Sequence, residues 1–322
     1  MHILHERTIC LFSCYFNGKT IPYYIKYYIE ELKKHCSHII FITNQKTLLQ
    51  SEITLLNNHN IQIMLVANEG YDFGMWNKAM HKYDVLKFER VLLVNDSCVL
   101  FKPLTTFFDW VDKSNLDCCG IVSSERFGFH IQSYFIVINK NAIEPLYNYF
   151  KKNGIINDYQ KVIQTYEIGL SSHFKNLNLK IGAQFFSKTQ PEIFNPSMNV
   201  EAFIEAGIPM IKKKIIFRSY RLGEYLSLLR MDFNIDPGHY IKIIQKNNEI
   251  EKLIDFNLVL NQGSKQNRND IFLYQLTLFL YNIAKRSHIL TFVFHQIIIL
   301  KRRLRGKTNP LESSPDQNIT KG

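Results

Sequence analysis

The sequence predicts an α/β domain: a Rossmann-like, mainly parallel sheet flanked by helices, with a C-terminal helical extension. Three observations carry this. Short unbroken apolar runs, TICLFSCY, SHIIFIT, IQIMLVA and RVLLV, recur through the first hundred residues, and such runs fit strands buried on both faces, as in a parallel sheet. Helical periodicity separates the first three, so strand–helix–strand–helix–strand reads as right-handed crossover units. From about Leu222 the composition turns to helical segments with no obvious sheet.

The composition of the 322 residues, 46% hydrophobic and 21% charged, is that of a globular chain. A main domain over 1–220, a helical region over 221–305 and a disordered polar tail over 306–322 are expected. With 24 Phe and 17 Tyr there are rings enough for a large core and for stacking surfaces. A net charge of +11 suits an anionic partner. Neither a Cys/His finger nor an aromatic RNA-binding pattern is present, so that partner is not expected to be nucleic acid. The cysteines at 10, 14, 36, 98, 118 and 119 form no CxxC pair and lie largely in apolar runs. Buried free thiols in a reducing cytoplasm follow, with a structural zinc site against expectation. The N-terminal residues lack the apolar core of a secretion signal.

In chain order, Thr8 to Tyr15 is the first strand, Ile21 to Lys34 a helix and Ser37 to Thr43 the second strand. Leu48 to Asn57 is a helix and Ile61 to Ala67 the third strand. No GxGxxG follows the first strand, which argues against a dinucleotide site. Next, Gly70 and Gly74 bracket Tyr71-Asp72-Phe73, a polar-aromatic loop expected to lead into a helix over Gly74 to Lys82. Glycine allows close backbone approach to a ligand, and a helix N-terminus favours anionic groups. Asp72 is placed to accept hydrogen bonds from a base or ribose, with Tyr71, Phe73 or Trp76 for stacking; the alternative is a glycine-punctuated loop with its rings in the core.

The fourth strand, Arg90 to Val94, runs into Asn95-Asp96-Ser97. Open α/β sheets bind ligands where strands end at their carboxyl edge, so these three residues are candidates to meet a ligand. The competing reading is an ordinary turn, since Asn, Asp and Ser are common turn residues. A short helix over Thr106 to Val111 follows, then strands over Leu116 to Val122 and Ile131 to Ile138, with the polar loop Ser123 to Gly128 between them. Two helices, Asn141 to Lys152 and Val162 to Asn176, come next, the second carrying Glu167. Turn signals stand at Asn195-Pro196-Ser197 and in Gly207-Ile208-Pro209, ahead of Lys212, Lys213 and Lys214.

Five phrases in this order, Gly70-Tyr71-Asp72-Phe73-Gly74, Asn95-Asp96-Ser97, His130-Ile131-Gln132-Ser133-Tyr134-Phe135, Tyr166-Glu167-Ile168-Gly169-Leu170 and Gly207-Ile208-Pro209-Met210-Ile211-Lys212, resemble the rhamnan synthesis protein F family. The resemblance covers roughly residues 8 to 218. It implies a GT-A-like fold and a glycosyltransferase that moves rhamnose from dTDP-rhamnose onto a growing cell-surface polysaccharide or lipopolysaccharide glycan, with a glycan or lipid-linked glycan as acceptor. GT-A enzymes usually end the middle strand in Asp-x-Asp, which holds Mg²⁺ or Mn²⁺ on the donor diphosphate. Here both outer carboxylates are missing, which leaves Asp96 as the candidate metal ligand and the need for a metal open. Asp72, Gly74, Asn95, Asp96, Ser97, His130 and Gln132 are the implied donor-site residues.

An inverting transfer needs a carboxylate to take the acceptor proton. Glu167 is the candidate, because Glu-x-x-Leu at a helix start is similar to the acidic motif of inverting GT-A enzymes; Glu125 is the second choice. Lys78, Arg126 and the run Lys212 to Lys214 are candidates to stabilise the departing diphosphate. Two rivals stand beside this reading, a non-catalytic assembly scaffold with a degenerate fold and a Rossmann-type oxidoreductase. Near the C-terminus, Ile289 to Leu300 is too short to span a bilayer but runs into Lys301-Arg302-Arg303-Leu304-Arg305. Such a pair fits either peripheral contact with an anionic cytoplasmic leaflet or a packed helix with a solvated basic end.

Overall fold

In the computed structural model, the described residues are 7–186 apart from 17, 60 and 126, together with 203 and 206–213. The chain divides into two units, Met1–Val259 and Leu260–Gly322, and every described residue lies in the first. The expected helical region, the polar tail, the turn at Asn195-Pro196-Ser197, Arg126 and Lys214 lie outside the described residues.

Four parallel strands form the heart of the sheet: β1 (Thr8–Cys14), β2 (His38–Thr43), β3 (Ile61–Leu65) and β4 (Arg90–Asn95). All residues of β1 and β4 are buried, as their unbroken apolar runs require. The edge strand β3 instead mixes buried and exposed positions. Helices α1 (Tyr23–Lys33) and α2 (Gln50–Asn58) make the first two crossovers, and α3 (Tyr71–Lys82) returns the chain to β4. A short strand β5 (Cys98–Leu100) and helix α4 (Thr105–Ser114) follow.

Beyond β4 the sheet becomes mixed. Strand β6 (Cys118–Ser124) is separated from β4 by β8 (Phe135–Asn139), which runs antiparallel to both. The two-residue β7 (His130–Ile131) pairs antiparallel with the end of β6. Thus Ile131 to Ile138, expected as one strand, is two, broken at Gln132 to Tyr134. Gly120 allows the crowding there: a Cβ on it would lie 2.2 Å from Ile131 Cγ2. The sheet order is β3-β2-β1-β4-β8-β6-β7, with β9 (Ile181–Phe185) parallel to β6. This is the Rossmann-like, mainly parallel sheet flanked by helices that the sequence predicts.

Two apolar layers sandwich the sheet. One joins Tyr24, Ile25, Tyr28 and Leu32 of α1 to Phe107 and Phe108 of α4. The other joins Met75, Trp76 and Met80 of α3 to α5 (Lys140–Asn153), which accommodates Pro145, and to the segment after it. All six cysteines are free and buried. Among the described residues no helix is long and apolar enough to cross a membrane.

Two local expectations are corrected. Gly70 to Gly74 is not a loop: α3 begins at Tyr71, with Gly70 as its N-cap in the left-handed region at φ 70°. Gly74 sits in the first turn, where a Cβ would stand 1.9 Å from the Glu69 carbonyl oxygen. The helix over Val162 to Asn176 is also not uniform. It comprises α6 (Tyr159–Val162), a π-helical segment over Ile163–Ile168 and α7 (Gly169–Asn176). Such segments often occur at functional sites.

Candidate active site

The parallel register sets Ser13 beside Asn95, so the carboxyl ends of β1 and β4 form one edge. The first turn of α3 brings Asp72 to it. Ser13 Oγ donates to Asp72 Oδ1 at 3.0 Å, and Asn95 Nδ2 donates to Asp72 Oδ2 at 2.9 Å. Asn95 Oδ1 also accepts from the Ser97 backbone N–H at 3.0 Å. An aspartate at position 95 would have no hydrogen to give Asp72 and would add a like charge beside it. At its first position the departure from Asp-x-Asp therefore has a local reason.

Asp96 is buried and accepts hydrogen bonds at both oxygens. Its Oδ1 accepts from the Tyr15 backbone N–H at 3.3 Å, and its Oδ2 from Tyr24 Oη at 3.0 Å and Lys213 Nζ at 2.6 Å. Lys213 arrives from far along the chain. Strand β10 (Met210–Lys212) pairs antiparallel with β5, and the Lys213 N–H donates to the Ser97 carbonyl at 2.8 Å. Lys212 Nζ lies over the Tyr134 ring, 5.3 Å from its centre. Burial raises the Asp72 carboxyl to about 6; the nearby Asp96 adds to this, while Ser13, Lys212 and Lys213 oppose it.

Glu167 joins this edge through one loop. Asn95 N–H donates to the Tyr134 carbonyl at 3.2 Å, and the neighbouring Ser133 Oγ donates to Glu167 Oε1 at 3.3 Å. The π-helical segment is braced by Phe73, which stacks on Tyr166 with ring centres 5.1 Å apart, and by Tyr149 Oη, which donates to the Thr165 carbonyl.

The remaining candidates separate. His130 Nδ1 pairs with the Gly128 carbonyl at 2.9 Å and its Nε2 with Gln132 Nε2 at 3.4 Å, so these two brace their own turn. Ser97 contributes its backbone to the Lys213 clamp. Lys78 is tied to Glu69 Oε2 and the Ala67 carbonyl, and Glu125 is exposed on its loop. Of the proposed stacking rings, Trp76 is in the core, donating Nε1–H to the Leu11 carbonyl, and Phe73 is buried. Tyr71 stays exposed and holds φ 56°, a left-handed conformation uncommon outside glycine.

Sequence reasoning passed over Ser13, Tyr15, Tyr24 and Ser133. The rule that singled out Asn95 would have found Ser13 and Tyr15, since they too end a buried parallel strand. Ser133 lies within one of the five family phrases, between Gln132 and Tyr134, whereas for Tyr24 no local signal exists.

A divalent cation on Asp96 is the expectation the GT-A resemblance brings. Both Asp96 oxygens are already taken, one by an ammonium, and among the described residues no three His, Cys, Asp or Glu side chains converge as a metal set. As arranged, Asp96 is engaged by an ammonium where such an ion would bind.

Residues 39–282 match the family described as rhamnan synthesis protein F, which is more than half of the chain. The chain belongs to the rhamnan synthesis protein F family. The description of that family names rhamnan synthesis, the building of a polysaccharide. No curated protein matches it. Among solved structures it is similar to the mannosyltransferase PcManGT from Pyrobaculum calidifontis, in complex with GDP-Man and Mn²⁺, at 8% identity over 94% of this chain and 88% of that one, TM-score 0.36. It is also similar to the glycosyltransferase GlyE of Streptococcus pneumoniae, at 13% identity over 73% and 63%, TM-score 0.40. A cytidylyltransferase from Leptospira borgpetersenii gives 8% identity over 76% and 96%, TM-score 0.41. Overlaps this loose assign no substrate to the rhamnan synthesis family member.

Proposed function

We propose that this family member transfers rhamnose from dTDP-rhamnose to a growing cell-surface glycan, free or lipid-linked, with inversion at the anomeric carbon. What supports the reading is the meeting of Asp72, Asn95, Asp96 and the Lys213 ammonium at one sheet edge, with Glu167 one loop away. Asp72 and Asn95 hold the nucleoside part of the donor. The Asn95-Asp96-Ser97 turn and its lysines face the diphosphate, and His130 and Gln132 support the sugar side.

In the reaction the acceptor hydroxyl oxygen bonds to the anomeric carbon while the bond from that carbon to the diphosphate oxygen breaks. Glu167 takes the acceptor proton, and the nucleoside diphosphate leaves with the bonding pair. A carboxylate kept in place by Ser133 suits that role, because orientation as well as basicity sets the rate. The cytoplasmic face of a membrane is the proposed setting, read from the apolar run before Lys301-Arg302-Arg303-Leu304-Arg305.

The test is a thermal-shift panel of nucleotide-sugars on the full chain, followed by transfer assays with whichever stabilises it. Stabilisation by dTDP-rhamnose above UDP- and GDP-sugars is expected. If no nucleotide-sugar shifts the melting temperature, with or without Mn²⁺, the donor site is misassigned.

A further inference from the structure

The cation partner of Asp96 is part of the chain. Lys213 Nζ stands 2.6 Å from Asp96 Oδ2 and 2.9 Å from Tyr24 Oη. Those contacts use two of the three ammonium hydrogens, and among the described residues no further hydrogen bond engages the third. Its side chain is 23% exposed while that of Asp96 is 6% exposed, so the carboxylate lies inside and the lysine is the partner that is partly open to solvent. The placement is built rather than incidental. Strand β10 is hydrogen-bonded to β5, the Lys213 backbone is bonded to Ser97, and Ile208, Met210 and Ile211 around it are buried.

We infer that Lys213, anchored on Asp96 and Tyr24 and seconded by Lys212, binds the donor diphosphate directly and takes the place of a divalent cation at this edge. The inference rests on the donor reading above. A divalent ion bound at Asp96 would have to displace a part-buried ion pair and then sit against a displaced ammonium, with like charges a few ångströms apart. Lysine acts as a point charge toward phosphate oxygens and needs no further ligands. As the anomeric bond breaks, charge builds on the bridging diphosphate oxygen, and a fixed ammonium stabilises it with little reorganisation. Diphosphate binding and transfer then need no added metal.

Titration calorimetry of dTDP and of inorganic pyrophosphate into the full chain, in EDTA and in Mn²⁺, tests this. Wild-type protein is expected to bind dTDP in EDTA about as tightly as in Mn²⁺. Lys213→Ala should weaken binding in EDTA by roughly 10- to 100-fold, the loss of one charge-assisted contact to the diphosphate. Lys213→Arg, which keeps the charge and guards against misfolding as the cause, should recover most of it. Binding that vanishes in EDTA, or that Lys213→Ala leaves unchanged, overturns the inference and leaves the transferase reading standing. Failure of every nucleoside diphosphate and nucleotide-sugar to bind in either buffer overturns both.

Discussion

Two carboxylates at the edge, Asp72 and Asp96, sit in different surroundings and do different things. Asp96 faces an ammonium and two further donors, whereas Asp72 faces neutral donors, Ser13 and Asn95, and is pushed up to about 6 from its usual 3.8. A carboxyl with a raised folded-state value holds its proton more tightly when folded. Its contribution to stability is therefore fully present below about pH 3.8 and is lost as pH rises through about 6. By neutral pH the loss amounts to at most about 3 kcal/mol. Asp72→Asn should remove this dependence, so that the variant gains on the wild type in urea midpoint between pH 5 and pH 7.5. Parallel profiles would show that Asp72 is not perturbed. At Glu167, replacement by Gln should lower the transfer rate by about 10²- to 10⁴-fold. Calorimetry should find donor affinity little changed; a variant with full activity would remove Glu167 as the base.

At the scale of elements, the π-helical segment is where helical periodicity misled. Apolar spacing from Val162 to Asn176 reads as one α-helix, but the Gly169 N–H donates to the Gln164 carbonyl, five residues back. A Cβ at Gly169 would stand 2.8 Å from that carbonyl oxygen and 2.8 Å from Tyr149 Oη, so glycine suits this wider turn. Gly169→Ala should cost about 1–3 kcal/mol in chemical denaturation. If the turn also aims Glu167, transfer should fall by more than stability explains, with donor affinity retained. The helix start at Tyr71 eluded the sequence for a related reason. Glycines at 70 and 74 are loop signals taken locally, yet here one caps the helix and the other lets its first turn close on Glu69.

For the whole molecule, the decisive contact joins the last described segment to the middle of the chain. Strand β10 docks on β5 and brings Lys212 and Lys213 to carboxylates more than a hundred residues earlier. Met210 is fully buried there, with Tyr28 Oη 4.0 Å from its sulfur. Met210→Ala should cost about 2–5 kcal/mol, measured by urea unfolding. It should also weaken dTDP binding in EDTA by loosening the segment that presents Lys213; unaltered binding would mean the lysines are held by other means.

The sequence by itself determined the fold class, the parallel strands and the residues at their carboxyl ends. Unbroken apolar runs such as RVLLV fit burial on both faces, and a parallel sheet must place Asn95 and Asp96 where such strands stop. It also carried the family, through short phrases in a fixed order. Tertiary structure alone decided the antiparallel insertion of β8, the break at Gln132 to Tyr134, the Ser133–Glu167 contact and the pairing of Asp96 with Lys213. Each depends on residues distant in the chain, and strand direction, side-chain pairing and charge partners at such separations leave no local periodicity to read. A lysine run shows a candidate charge but no partner until the chain has folded back. Only then does Lys213 stand 2.6 Å from Asp96.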